Sequence, residues 1–150
     1  MNYEDTKVLI IGIARSGIAA ARVLASLGAE VTIADQKSAQ ELHDGIGALR
    51  DWPIKINTGG YPPITQSNFD LVITSPGVPM TAKPLTQAVK NGIPVWSEIE
   101  LAASLTEGQI IAITGTNGKT TTTALVGQLF TDAGKDVVVG GNIGVPLIQE

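Results

Sequence analysis

The feature that most constrains this chain is the stretch of residues 110–121, which reads Ile-Ile-Ala-Ile-Thr-Gly-Thr-Asn-Gly-Lys-Thr-Thr. An apolar run leads directly into a glycine-rich loop, and a helix-forming stretch, 121–133, follows it. Gly115 and Gly118 let the backbone turn sharply and approach phosphate oxygens without a Cβ in the way. Because the amides that open a helix attract anions, the pattern predicts a nucleoside triphosphate site.

Two side chains at the end of this loop strengthen the prediction. Lys119 can reach the β- and γ-phosphates, and the Thr120 hydroxyl can bind a Mg²⁺ ion, so both are candidate catalytic residues. Ile113 stands where the common P-loop has its first glycine, so this loop is a shorter form. An ordinary strand-to-helix turn is the alternative interpretation. The residues expected to bind the nucleotide are Gly115, Thr116, Asn117, Gly118, Lys119, Thr120 and Thr121.

The composition narrows the class of protein. Over 150 residues, 43% hydrophobic and 16% charged residues are typical of a globular chain with a substantial core. The net charge of −4 provides no electrostatic basis for binding nucleic acid or an anionic membrane. The chain has no cysteine, which excludes disulfides and thiolate chemistry. No apolar stretch approaches the ~20 residues that span a bilayer, and the acidic N-terminus is unlike a secretory signal, so we expect a cytoplasmic protein.

Short β-branched runs alternate with helical patterns, which is typical of parallel α/β architecture. The expected strands are nearly all apolar, as in a sheet that helices cover on both faces. Helices are expected at 18–27, 39–49 and 85–91, and Ser97 with Glu100 forms a capping box that starts another. The expected strands are 8–11, 31–34, 54–57, 71–74, 95–96, 110–114 and 137–139.

This order of elements predicts two units. Residues 1–96 form a nearly closed, Rossmann-like parallel sheet domain. Residues 97–150 begin a P-loop-type α/β domain with a helix, a strand, the glycine-rich loop, a second helix and a second strand. Such a domain needs further strands. We therefore expect the chain to be the front part of a longer protein.

A second glycine-rich loop follows the first expected strand and reads Gly-Ile-Ala-Arg-Ser-Gly over residues 12–17. Its outer glycines match the dinucleotide-binding fingerprint, but Ala14 replaces the middle glycine and crowds the place where a pyrophosphate comes close. Arg15 and Ser16 supply a cation and a hydroxyl that suit a sugar diphosphate. Asp35 ends the second strand, where such folds bind a ribose. An NAD(P)-dependent oxidoreductase and a purely structural turn stay open as alternatives.

A third loop, Ser-Pro-Gly-Val-Pro at residues 75–79, follows the fourth expected strand. Ligands of open α/β sheets bind at the carboxyl ends of the strands, where all three loops are expected. Ser75 and the amide of Gly77 are candidate ligand contacts, although this sequence is also typical of a simple turn. Asn142, in the run Gly-Gly-Asn-Ile-Gly, is open to the same two interpretations.

In this order, the motifs resemble those of the Mur ligases of peptidoglycan synthesis. The loop at 115–120 resembles that of a wider superfamily, which also holds folylpolyglutamate synthases. The first unit with its 75–79 loop is most similar to the D-glutamate-adding branch. The matching residues span nearly the whole chain: 8–17, Asp35, 75–79, 97–100, 115–121 and 141–144.

The resemblance implies an ATP-dependent amide ligase whose three domains bind a UDP-sugar, ATP with Mg²⁺, and an amino acid. The implied substrates are UDP-N-acetylmuramoyl-L-alanine, whose carboxylate becomes an acyl phosphate, and D-glutamate, whose amine attacks it. By position, Asn142 would reach the muramoyl group and Lys119 the transferring γ-phosphoryl group. The residues implied at the UDP moiety are Arg15, Ser16, Asp35, Gln36 and Lys37, with Ser75 and Gly77 nearby.

The family's later acidic metal ligand and its amino-acid-binding domain are not in these 150 residues. We therefore expect the chain alone to be inactive and able to self-associate through uncovered strand edges, and a full-length parent to be monomeric. A non-catalytic nucleotide-binding module is the remaining alternative.

Overall fold

A computed structural model describes residues 2–140 and 147–149, and its centre is one parallel sheet. The strand order is β3-β2-β1-β4-β5, and every neighbouring pair is parallel. The order reverses between β1 and β4, which is the switch point where open α/β sheets bind ligands. The first five predicted strands are thereby confirmed: β1 (Lys7–Ile11), β2 (Glu30–Ala34), β3 (Lys55–Asn57), β4 (Leu71–Thr74) and β5 (Val95–Ser97).

The residues predicted to end or begin helices do so in the structure. Gly28 follows the first helix with a φ of 85°, and Gly92 follows the third with a φ of 69°, as C′ glycines do. The capping box is present, because the Ser97 hydroxyl accepts the Glu100 N–H and the Glu100 carboxylate accepts the Ser97 N–H. The helices are α1 (Arg15–Ser26), α2 (His43–Gly47), α3 (Lys83–Lys90), α4 (Glu98–Leu105) and α5 (Lys119–Asp132), and a 3₁₀ turn covers Leu147–Gln149.

The helix expected at 39–49 is shorter than predicted, since α2 covers only His43–Gly47. Ser38 and Glu41 form a local turn instead, in which the Glu41 carboxylate accepts both the Ser38 N–H at 2.9 Å and its hydroxyl at 2.8 Å. Side-chain hydrogen bonds of this kind compete with the helical backbone pattern. Gly45 further weakens the helix.

Apolar side chains cover both faces of the sheet at alternate positions along each strand. On one face, Ile10 of β1 packs with α1 and α4, and on the other, Leu9 packs with α3. Both side chains are 0% exposed. The sheet is therefore the middle of three layers. Leu101 of α4 belongs to the core that contains Ile10 and α1. The predicted boundary at residue 97, in contrast, assigns α4 to the second unit.

The predictions of strands at 110–114 and 137–139 are wrong. Neither segment forms a strand, and the backbone of neither forms a hydrogen bond with any described residue. A strand needs a neighbour to take its backbone hydrogen bonds, so an apolar β-branched run alone does not suffice. Ile111 and Val138 remain 58% and 55% exposed. Within the described residues, no helix is long and apolar enough to cross a membrane.

Candidate functional site

The loop after β1 makes a tight turn at the switch point of the sheet. Gly12 has a φ of 104°, and its N–H donates to the Ala34 carbonyl at 2.8 Å. A Cβ on Gly17 would lie 2.1 Å from the Gly12 carbonyl oxygen, so the loop and the first turn of α1 touch backbone to backbone. A larger residue at position 17 would force them apart. This close approach brings the first amides of α1 to the carboxyl edge of the sheet.

Asp35, directly after β2, orients this loop. Its Oδ2 accepts the Ile13 N–H at 2.9 Å, and its Oδ1 accepts the Lys37 N–H at 3.0 Å. Hydrogen bonds of backbone amides to a carboxylate are strong, so the carboxyl group is held between two loops. The side chains of Gln36 and Lys37 are exposed beside it. Asp35 thus links the loops after β1 and β2 into one surface.

Ser75, directly after β4, holds the Gly12 turn through a hydrogen bond. It is only 5% exposed, its hydroxyl donates to the Gly12 carbonyl at 3.3 Å, and its N–H donates to the Ile11 carbonyl at 3.1 Å. The sequence did not predict this role of positioning the Gly12 turn, because the partner lies on a different strand. Gly77, two residues later, is exposed, and no atom lies within 4 Å of the position of a Cβ there.

The topology brings together residues that are far apart in sequence. All of those predicted for the UDP moiety stand directly after β1, β2 or β4, and we call them the edge cluster: Arg15, Ser16, Asp35, Gln36, Lys37, Ser75 and Gly77. Arg15 and Ser16 begin α1, so a cation and a hydroxyl accompany the helix amides there. The remaining predicted substrate residue, Asn142, lies outside the described residues.

The glycine-rich loop at residues 115–120, for which the sequence predicts phosphate binding and which we call the phosphate loop, leads into α5. Gly118 is the N-cap of α5 with a φ of 75°, and Gly115 has a φ of 153°, so both occupy backbone conformations that favour glycine. The Lys119 Nζ donates to the Gly115 carbonyl and thereby folds over the loop. The backbone amides of residues 118–121 donate to no described residue. Free amides, a helix start and one ammonium group suit a phosphate.

A metal ion would find few protein ligands near this loop. The Thr120 side chain is exposed at the start of α5. Among the residues that the structure describes, no group of three or more His, Cys, Asp or Glu is placed to hold a metal ion. The described residues therefore fit Mg²⁺ only as an ion that the Thr120 hydroxyl and nucleotide phosphates hold together.

Glu98, the first residue of α4, makes a contact that sequence reasoning missed. It is 3% exposed, and its Oε1 accepts the Ile148 N–H at 2.8 Å. Ile148 joins the core that α1 and α4 share. The chain thus leaves the sheet after α4, forms the phosphate loop and α5, and returns to the sheet at the 3₁₀ turn. No local sequence signal reveals this contact, because the two residues are 50 positions apart.

Known protein families match the chain in two segments. Residues 6–97 match the Mur ligase MurD-like N-terminal domain, which is more than half of the chain. The chain belongs to the Mur ligase family. Residues 113–149 of this Mur ligase chain match the family's middle domain, and the predicted resemblance is thereby confirmed.

Curated relatives of this Mur ligase chain include three UDP-N-acetylmuramoylalanine–D-glutamate ligases. Those of Pelotomaculum thermopropionicum, Koribacter versatilis and Geotalea daltonii are 49%, 48% and 47% identical to it over 149 residues. Each alignment covers 99% of this chain and 33% of the relative, so the chain spans about a third of the length of these relatives. A solved structure, UDP-N-acetylmuramate-alanine ligase MurC from Thermotoga maritima, has a TM-score of 0.48 at 25% identity. This partial likeness covers 86% of this chain and 30% of that one.

Proposed function

We propose that this chain supplies the sugar-nucleotide unit and the ATP phosphate loop of a ligase that joins D-glutamate to UDP-N-acetylmuramoyl-L-alanine. One observation carries the proposal: the Mur ligase chain has two glycine loops that lead into helix starts, one at the carboxyl edge of the sheet and one before α5. Two anion sites of this kind suit an enzyme that brings a UDP-sugar to ATP. The relatives named above support the same reaction.

The edge cluster would bind the UDP moiety. The first amides of α1 and the cation of Arg15 suit the diphosphate, with the Ser16 hydroxyl as a further donor. Asp35 lies one strand further along the sheet and suits a ribose hydroxyl. The exposed side chains of Gln36 and Lys37 complete this side of the site. Ser75 would act mainly by holding the Gly12 turn.

The phosphate loop would bind ATP, with the free amides of residues 118–121 around the phosphates. In the proposed reaction, the substrate carboxylate takes the γ-phosphoryl group and ADP leaves. The amine of D-glutamate then attacks the acyl phosphate, the amide bond forms and inorganic phosphate leaves. Lys119 would stabilise the charge that spreads over the transferring group, which is the main work of proteins in phosphoryl transfer. Mg²⁺ held by Thr120 would supply further positive charge.

The same surface argues against a nicotinamide-dependent oxidoreductase. Ala14 is the N-cap of α1, so its methyl group occupies the place that the second fingerprint glycine leaves open for a pyrophosphate. An oxidoreductase also has no use for the phosphate loop. Because ATP is the energy source, we infer that the enzyme works in the cytoplasm. We keep the boundary between the two proposed domains at residue 97, where the match to the family's N-terminal domain ends, although α4, which follows this boundary, packs on the sheet.

Isothermal titration of the chain with UDP-N-acetylmuramoyl-L-alanine and with NADH tests the proposal. We expect heat of binding from the UDP ligand and none from NADH. Arg15→Ala should weaken UDP binding by about 10- to 150-fold, since a charge-assisted contact is worth ~1.5–3 kcal/mol. The matched control is Arg50→Ala, an exposed arginine in the connection to the amino end of β3, which should leave binding unchanged. Tight NADH binding without any UDP signal would overturn the proposed function.

A further inference from the structure

The segment that carries the phosphate loop and α5 is attached to the sheet at both ends of one helix, α4. The chain leaves α4 at Leu105, and it returns to the start of the same helix at the 3₁₀ turn, Leu147–Gln149. An eight-residue helix is about 12 Å long, so the two attachments are separate. The first attachment is the covalent chain itself, whereas the second consists of contacts that a substitution can remove.

The two attachments stand at opposite edges of the sheet. α4 begins directly after β5 ends, so Glu98 lies at the carboxyl edge, where the edge cluster stands. The other end of α4 lies at the amino edge, because the hydroxyls of Ser104 and Tyr3 form a hydrogen bond at 2.8 Å and Tyr3 precedes β1. The contact that Glu98 makes is therefore the attachment on the side of the proposed substrate site.

Glu98 holds the returning chain with a buried carboxylate. The side chain is 3% exposed, and its Oε1 accepts the Ile148 N–H at 2.8 Å. A buried carboxylate is costly unless it is hydrogen-bonded, so this bond restricts where the 3₁₀ turn can lie. The turn contacts both α4 and α1, and α1 is the helix that begins with Arg15 and Ser16. Glu98 thus fixes the turn against the helix that opens the edge cluster.

Two close contacts connect the 3₁₀ turn to α5. A Cβ on Gly140 would lie 3.2 Å from the Leu147 Cα, and a Cβ on Gly127 of α5 would lie 2.5 Å from the Val139 Cγ2. Residue 139 therefore packs on α5 and residue 140 packs on the turn, with no space for a larger side chain at either glycine. Close-packed contacts transmit displacements, so the position of the turn affects that of α5, which begins at Lys119.

We propose that Glu98 is a positioning residue of the ligase: by holding the 3₁₀ turn at the carboxyl edge, its carboxylate sets where the phosphate loop stands relative to the edge cluster. This inference rests on the proposed function, in which the edge cluster binds the UDP-sugar and the phosphate loop binds ATP. The role of Glu98 needs no contact with either substrate. Phosphoryl transfer requires the two substrates to be aligned, and a misplacement of about 1 Å can lower a rate about 100-fold.

A distance measurement on the 150-residue chain tests the positioning directly. The chain has no cysteine, so Gln87→Cys in α3 and Ala124→Cys in α5 provide two unique, exposed sites for spin labels. Pulsed electron paramagnetic resonance at low protein concentration measures the distance between the two labels. We expect a narrow distribution in the doubly labelled chain and in its Glu98→Gln variant, whose amide oxygen still accepts the Ile148 N–H. Glu98→Ala should broaden the distribution, because the turn loses its bond to the start of α4.

Kinetics of the full-length ligase test whether this position matters for the reaction. Glu98→Ala should lower kcat about 10- to 100-fold and leave the KM of ATP and of the UDP-sugar within about threefold, because each substrate keeps its own binding residues. Glu98→Gln should keep kcat within about threefold of the unaltered enzyme. The matched control is Tyr3→Phe, which removes the hydrogen bond at the opposite end of α4. It should lower the melting temperature, as Glu98→Ala does, and leave kcat and the label distance unchanged.

The outcomes separate the two proposals. A full-length enzyme without ligase activity overturns the proposed function and, with it, the role of Glu98 in the reaction. A broad distribution in the chain with Glu98 intact, an equally narrow one in Glu98→Ala, or an unchanged kcat in that variant each overturns the role of Glu98 alone. Equal losses of kcat in Glu98→Ala and Tyr3→Phe also overturn it, because lowered stability would then explain both.

Discussion

The same local pattern occurs twice in this chain and folds differently each time. In the sheet unit, residues 2–105, an apolar run leads through Gly12 into α1. In the phosphate-loop segment, residues 107–140, an apolar run leads through Gly115 into α5. The run before Gly12 becomes the central strand β1 with side chains 0% exposed, whereas Ile110 and Ile111 stay 54% and 58% exposed without forming a strand. The glycine turn and the helix form in both.

The difference separates local from non-local structure. A helix and its N-terminal turn draw their hydrogen bonds from residues a few positions away, so the hydrogen bonds of α5 need no other segment as a partner. A strand draws them from other strands, and β1 has β2 and β4 on its two sides. In the phosphate-loop segment, α5 leaves Leu125 and Leu129 each 59% exposed. Among the described residues, the segment therefore has its glycine turn and its helix without a buried apolar core of its own.

Amide hydrogen exchange should show the largest contrast between the two regions. Amides of β1 and β4 open only when the sheet unfolds, so their protection should approach the global stability of roughly 5 kcal/mol or more. Gly127, which Val139 covers, is the only buried residue of α5, so the amides of this helix should exchange about a thousandfold faster, since a helix of this length with little packing is marginal. Exchange measured by mass spectrometry or NMR at several protein concentrations compares them directly.

Concentration is the control in that experiment. Protection of α5 that rises with protein concentration would show that its exposed leucines pair with a second copy. Equal, concentration-independent protection in β1 and α5 would contradict the comparison, because it would mean that the phosphate-loop segment is stabilised within the single chain.

The sequence predicts the parts of this fold that depend on local chemistry. The strand at 71–74 and the capping box of Ser97 and Glu100 appear as predicted, because apolar runs and capping side chains act within a few residues. The glycine turn at 115–118 lies at the start of α5 for the same reason.

Long-range contacts were beyond prediction. The support of Gly12 by Ser75 depends on which strands become neighbours, and a single sequence does not specify this. The bond between Glu98 and Ile148 depends on the chain returning after α5. The strand prediction at 110–114 failed for the same reason, since it assumed partners for an apolar run. In each case the local pattern was identified, and the missing information was the identity of the neighbour.

Truncating one isoleucine in each region compares how much the two regions contribute to the free energy of unfolding. Ile10→Ala in β1 should lower the free energy of unfolding by about 2–5 kcal/mol, because it leaves a cavity at a 0% exposed position. Ile111→Ala, at a 58% exposed position, should change it by less than ~0.5 kcal/mol. Urea unfolding followed by tryptophan fluorescence measures both. A comparable loss in Ile111→Ala would show that residues 110–114 contribute to the cooperative core.

Lys119→Ala should affect activity without affecting stability. In the full-length ligase that we propose, loss of the ammonium at the phosphate loop should lower turnover about 100-fold or more, because the charge it would stabilise is greatest in the transition state. Binding of the UDP-sugar should be unchanged, since the edge cluster lies in the sheet unit. The exposed Lys135, just after α5, gives the matched control Lys135→Ala. Near-normal turnover in Lys119→Ala would exclude this loop as the ATP site.

Glu98→Gln should give the smallest effect, because it tests one contact between the sheet unit and the 3₁₀ turn. The glutamine oxygen still accepts the Ile148 N–H, but a neutral acceptor forms a weaker hydrogen bond than a carboxylate. We expect the Ile148 amide to exchange about fivefold faster, which corresponds to ~1 kcal/mol. Glu107→Gln, at an exposed position after α4, is the control and should leave that amide unchanged. If Ile148 exchanges at its original rate in Glu98→Gln, burial in the core that α1 and α4 share, and not the carboxylate, holds the 3₁₀ turn against the sheet.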